Sequence, residues 1–115
     1  IYLAMEYIIP GDLEKNLASS WTENDTKLAV RQLLRGLEIM HSNNVTHRDL
    51  KPQIHPVHVK IGDFGISKRV PENSSTKLDT RFSIHGYTAP EVTLGETYTS
   101  AVDLWSLGCI IYRMI

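Results

Sequence analysis

Between residues 47 and 65 the chain reads His47-Arg48-Asp49-Leu50-Lys51-Pro52-Gln53 and then, after an apolar run ending at Gly62, Asp63-Phe64-Gly65. Nothing else in the sequence restricts the fold as much. Asp49 and Asp63 lie 14 positions apart, and Val57 to Gly62 between them reads as a strand about 20 Å long. That leaves the seven residues from Leu50 to Pro56 for a loop, any outward path and a turn. Fully stretched, they reach only about 24 Å. Pro52 and Pro56 can donate nothing to a strand ladder. The interval therefore holds one strand returning toward Asp63, with no room for an outgoing partner.

The rest of the composition narrows the class. At 115 residues the chain is long enough for one modest core. Twelve Lys and Arg stand against 13 Asp and Glu, so no charge excess points to nucleic acid or to an anionic membrane. The apolar runs are far shorter than a bilayer span, and IYLAMEYIIPG lacks the basic start of a secretion signal. Cys109 is the single cysteine, so no internal disulfide forms and a reducing compartment fits. These features predict an intracellular protein, cytoplasmic or nuclear, with no nucleic-acid or membrane partner.

In chain order, Ile1 to Ile9 is apolar and strand-forming, and Pro10-Gly11 ends it in a turn. Asp12 can cap a short helix from Leu13 to Ala18. Thr22-Glu23-Asn24-Asp25 offers caps for a long helix over Asn24 to His41. Its apolar period runs through Leu28, Val30, Leu33, Leu34, Leu37, Ile39, Met40 and His41, and Ser42-Asn43-Asn44 stops it. Such a helix is core material. His47, His55 and His58 lack a cysteine or carboxylate at ligand spacing, which argues against a metal site built on histidine. Pro71 to Thr80 is polar and reads as a surface loop. Tyr98 to Ile115 is a strongly apolar helix opened by Thr99-Ser100, and Cys109 within it reads as a small buried apolar side chain.

The HRDLKPQ and DFG stretches, in that order with a strand between them, resemble the catalytic lobe of the eukaryotic protein kinase family. The HRDLKP form is similar to its serine/threonine branch. Other segments extend the likeness over the whole chain. IYLAMEYIIPGDL resembles the last small-lobe strand and hinge, GYTAPE the end of the activation segment, and D-x-W-S-x-G (Asp103, Trp105, Ser106, Gly108) the helix that anchors the catalytic loop.

The resemblance implies an α+β, protein-kinase-like fold: mostly the helical large lobe, with the last small-lobe strand and hinge over 1–11 and part of the large lobe over 12–115, an incomplete domain. It implies ATP and Mg²⁺ as cofactors and a protein substrate with a Ser or Thr hydroxyl, with an activating kinase as a further partner. Asp49 becomes the catalytic base and Asp63 the Mg²⁺ ligand at the nucleotide. Lys51 lies over the transferring phosphate, and Arg48 pairs with a phosphate on the activation loop. Met5 takes the gatekeeper position, and Glu6, Tyr7 and Ile8 meet the adenine. His47 packs on Phe64, and Asp103 accepts backbone N–H bonds near His47 and Arg48. Ser74, Ser75, Thr76 and Thr80 are candidate phosphosites.

Two positions depart from the family pattern. Where the family carries an Asn for a second Mg²⁺, this chain has Ile54, and an aliphatic side chain offers no oxygen to a hard cation. Where serine/threonine kinases carry Gly-Thr before the Ala-Pro-Glu motif, Ser83-Ile84 stands instead. The glycine-rich loop, strand lysine and helix glutamate that position ATP are expected before Ile1. The resemblance thus predicts a serine/threonine kinase parent whose fragment is inactive alone. Its rivals are a degenerate homologue acting as a binding or scaffold module, and a truncated gene reading. Apolar faces of the Asn24–His41 and Ser100–Ile115 helices are expected to be exposed.

Overall fold

The computed structural model describes residues 22–50, 59–71, 75 and 86–115. The expectations for the 1–11 strand and hinge, the Leu13–Ala18 helix, Met5, Glu6, Tyr7, Ile8, Lys51, Ile54, Ser74, Thr76, Thr80, Ser83 and Ile84 lie outside these residues. The first element, helix α1, runs over Glu23–Ser42. Its start is a reciprocal cap: the Asp25 amide donates to Thr22 Oγ1 at 3.2 Å, and the Thr22 amide donates to Asp25 Oδ2 at 3.1 Å. The Thr22 hydroxyl also donates to that carboxylate at 2.6 Å, and Thr22 holds the Asp25 carboxyl below its ordinary range. At the other end the Asn43 and Asn44 amides close on the carbonyls of Met40 and His41. Asn44 takes the left-handed conformation (φ 59°) that turns the chain into a strand.

Strand β1 (Val45–Thr46) pairs antiparallel with β2 (Lys68–Arg69), with Val45 opposite Arg69 and Thr46 opposite Lys68. A 3-10 turn over Phe64–Ile66 precedes β2. After the one-turn helix α2 (Pro90–Thr93), helix α3 covers Ala101–Met114. This mixed, mostly helical arrangement with a two-stranded sheet agrees with the α+β, kinase-like expectation.

The main core lies between α1 and α3. Ala29, Leu33 and Leu37 of α1 meet Leu107, Ile110 and Met114 of α3, and Leu50 and Val59 fill in from the loops. Burying Leu33 and Leu37 contributes about 1.5–3 kcal/mol each before entropy is charged. Gly36 admits Ile61 at this contact, since a Cβ there would stand 2.8 Å from Ile61 Cδ1. A second, smaller cluster joins Ala89, Tyr98 and Val102, with Val92 against it.

Four expectations are corrected. Leu28, Leu34 and Ile39 are exposed, whereas Thr26 is buried. At about 100° per residue, Thr26, Ala29, Leu33 and Leu37 share a narrow stripe, while Leu28 and Ile39 fall on the opposite face. The run Val59–Gly62 forms no strand, because it meets no partner strand among the described residues; the Val59 amide instead donates to the side chain of Gln32 at 3.1 Å. Tyr98 precedes α3 rather than opening it, and its ring is buried in the small cluster. Cys109 is half-buried. On α3, Leu104, Trp105 and Tyr112 are exposed. No described helix is long and apolar enough to cross a membrane.

Candidate active site

The loop after β1 is held from below by one buried carboxylate. Asp103, fully buried on the first turn of α3, accepts the His47 amide on Oδ2 at 2.9 Å and the Arg48 amide on Oδ1 at 2.8 Å. His41, from the last turn of α1, reaches the same Oδ2 through Nε2 at 2.8 Å. A carboxylate taken out of water needs its lone pairs filled, and here three donors from two segments fill them. The backbone donors are the ones expected from the sequence. His41 is an addition: its place in an apolar helical period concealed a polar role, and the signal was a histidine at a helix end beside a buried acid.

His47 joins this loop to the Asp63 turn. It is buried, its Nε2 bonds the Gly62 carbonyl at 2.8 Å, and its ring meets Phe64 edge-on with centroids 5.4 Å apart. The Asp49 amide donates to His47 Nδ1 at 3.3 Å. An amide donor at one ring nitrogen and a carbonyl at the other fix the neutral tautomer with the proton on Nε2. One imidazole therefore touches the residues on both sides of Asp63 and holds the amide of Asp49. The ring thus joins the loop that carries Asp49 to the turn that carries Asp63.

Backbone strain marks the same two loops. Arg48 and Asp63 both have positive φ, 71° and 62°, a conformation costly for an arginine. Asp63 is exposed, and its Oδ1 lies 3.2 Å from where a Gly65 Cβ would stand. Glycine at 65 thus leaves the carboxylate room to turn outward. An exposed carboxylate is the type of hard oxygen donor that Mg²⁺ takes, so the donor at Asp63 is of a kind that suits a divalent cation. Asp49 is half-buried.

Arg48 takes a more internal place than a surface phosphate clamp. Its Nε donates to the Ile66 carbonyl at 2.6 Å, Nη2 donates to the same oxygen, and Nη1 donates to the Tyr98 hydroxyl at 2.9 Å. Of the sequence-predicted site residues, Arg48 bonds the turn that follows Asp63, and Asp49 bonds His47 through its amide. Ser75 is exposed, and among the described residues no group of His, Cys, Asp or Glu is arranged to hold a metal by itself. Further on, Ser106 Oγ sits 2.8 Å from the Tyr87 carbonyl, and Arg113 donates to the Tyr87 hydroxyl at 2.7 Å. These contacts pin the Gly86–Pro90 stretch to α3.

Comparison with known proteins places the same segments. The family described as protein kinase domain matches residues 1–115. Serine/threonine-protein kinase cds1 of Schizosaccharomyces pombe is 39% identical over all of this chain and 27% of its own length. Calcium/calmodulin-dependent protein kinase type 1 of Caenorhabditis elegans is 38% identical over all of this chain and 35% of its own length. Mitogen-activated protein kinase 4 of Mus musculus is 38% identical over 97% of this chain and 21% of its own length. The chain spans about a third or less of these relatives. The first two alignments run to 127 and 124 positions against a chain of 115, so both relatives carry residues with no counterpart here.

Proposed function

The chain belongs to the protein kinase domain family, and from that premise we propose that it is the catalytic-loop region of a serine/threonine kinase, most of it large lobe. The full-length protein then transfers the γ-phosphoryl group of ATP to Ser or Thr hydroxyls of protein substrates inside the cell. The observation that carries this reading is the position of His47, which ties the Asp49 amide to the residues flanking Asp63.

In this reading Asp49 accepts the proton of the substrate hydroxyl as its oxygen attacks the phosphorus. Asp63 would hold Mg²⁺, whose charge would offset that of the phosphates. By the family pattern, Lys51 is assigned to the transferring phosphate and Met5, Glu6, Tyr7 and Ile8 to the adenine. Catalysis in this class is mainly positioning and electrostatics, and positioning is what the Asp103 and His47 bonds supply. Arg48 is suited to a phosphate placed on the activation segment by an activating kinase, with Ser74, Ser75, Thr76 and Thr80 as acceptors. Such a phosphate competes with the Tyr98 and Ile66 bonds for the guanidinium.

Ile54 and Ile84 favour a second reading, a phosphotransfer-deficient module that binds partners. The short Asp49–Asp63 interval favours a deletion there that leaves the flanking motifs intact, and the longer aligned stretches of the relatives are consistent with residues missing from this chain. The 115-residue chain alone is expected to transfer no phosphate. In a full-length protein, replacing Ile54 by Asn and lengthening the interval by an apolar strand tests this directly. Mg²⁺-dependent ATP binding by calorimetry is the expected result. Failure of the restored protein to bind nucleotide hands the case to the binding-module reading.

A further inference from the structure

Tyr98 was read from sequence as the start of a helix, and its ring is 2% exposed in a cluster with Ala89 and Val102. A buried tyrosine needs a partner for its hydroxyl, and this one accepts Arg48 Nη1–H at 2.9 Å. On the other side of the guanidinium, Nε and Nη2 converge on a single atom, the Ile66 carbonyl oxygen. Two bonds that meet on one oxygen constrain the guanidinium on that side. The Tyr98 bond, from Nη1, adds a constraint on its plane from a different direction.

We propose that Tyr98 is a positioning residue: its buried hydroxyl fixes the plane of the Arg48 guanidinium and, through it, the carbonyl that ends the Asp63-bearing turn. Ile66 is the last residue of the 3-10 turn that begins at Phe64. The Ser67 amide closes that turn on the Phe64 carbonyl at 3.1 Å. Arg48 thus grips the turn at its exit. Tyr98 in turn is set by its packing on Ala89, so the Ala89-Pro90-Glu91 stretch reaches the Asp63 turn through one ring and one guanidinium. Only the consequence for catalysis rests on the phosphoryl-transfer reading above. The bonds themselves are measurable in a protein that transfers no phosphate, so the two fail separately.

The test is Tyr98→Phe in the full chain, which keeps the ring and deletes the hydroxyl. With ¹⁵N-labelled arginine, the Arg48 Nε–H resonance is followed by solvent exchange, together with the Ser67 amide. Loss of a bond to a charged group should speed both exchanges by about tenfold or more, while amides in the middle of α1 keep their rates. A merely structural role for Tyr98 would instead loosen α1 and α3 together. Unchanged Arg48 Nε–H exchange in a folded Tyr98→Phe protein overturns the proposal. Should that variant not fold, Arg48→Lys with ¹³C-labelled tyrosine reads the same bond from the other side. The Tyr98 Cζ resonance shifts if the bond exists, and a static resonance rejects it.

Discussion

Asp103→Asn perturbs the site at its most buried point. The carboxylate of Asp103 accepts from His47, Arg48 and His41 at 2.8–2.9 Å with no exposure to solvent. An asparagine can keep one backbone N–H on its carbonyl oxygen, but its amide nitrogen then faces the other. Flipping the side chain only changes which amide is orphaned. A buried donor left unpaired costs about 1–3 kcal/mol, and the surviving bond drops from charged to neutral strength, a further 1 kcal/mol or so. His41 can recover part of this by shifting its proton and accepting from the new amide. Relief of carboxylate desolvation works in the same direction. The balance is a loss of about 2 kcal/mol, a sizeable share of the 5–15 kcal/mol typical of a domain. Urea unfolding followed by circular dichroism reads it: the midpoint should fall by about 0.7–2 M with an unchanged slope. A fall below about 0.3 M would refute the claim that this carboxylate holds the loop.

Other perturbations carry their own signs. Thr46 is fully buried and its hydroxyl has no hydrogen-bond partner among the described residues, so Thr46→Val should raise stability by about 1 kcal/mol in the same assay; a loss would mean that the hydroxyl is in use. Leu37→Ala opens the α1–α3 core and should cost about 2–5 kcal/mol, and a cost under 1 kcal/mol would show that the helices are not packed there. The Asp25 carboxyl is held below its ordinary value of 3.8, first by the Thr22 hydroxyl and then by its amide. A depressed folded-state pKa adds stability at higher pH, which is lost as pH falls from the ordinary value through the depressed one. A ¹³C titration of Asp25 should therefore move up toward the ordinary value in Thr22→Ala, and an unmoved curve would remove the cap from the account.

Much of the site was legible because its chemistry is local in sequence. HRDLKPQ and DFG announce two carboxylate-bearing loops, and an aspartate on an apolar helix announces a buried acceptor, which Asp103 proves to be. The α1 ends were close to legible too, since Thr22 and Asp25 sit at capping-box spacing and Asn43-Asn44 break the helix. The apolar residues of α1 outnumber what one face can bury, so sequence could not say that Leu28 and Ile39 point outward. The strand expected over Val57–Gly62 depended on a partner, and β pairing is a property of two segments rather than one. His41, Gln32 and Tyr98 were missed for a shared reason. Each acts through a residue far along the chain, His41 on Asp103, Gln32 on Val59 and Tyr98 on Arg48.

The central claim is that Asp49 and Asp63 form the reacting centre of a protein kinase, and phosphoryl transfer by the full-length protein tests it most directly. With radiolabelled ATP, Mg²⁺ and a generic basic protein, label should appear on serine or threonine. It should fall by at least about a hundredfold in Asp49→Asn, the scale of losing a positioned general base, and should vanish in Asp63→Asn. Label that persists in both variants, or that never appears even in the protein with a restored Asp49–Asp63 interval, would contradict the account.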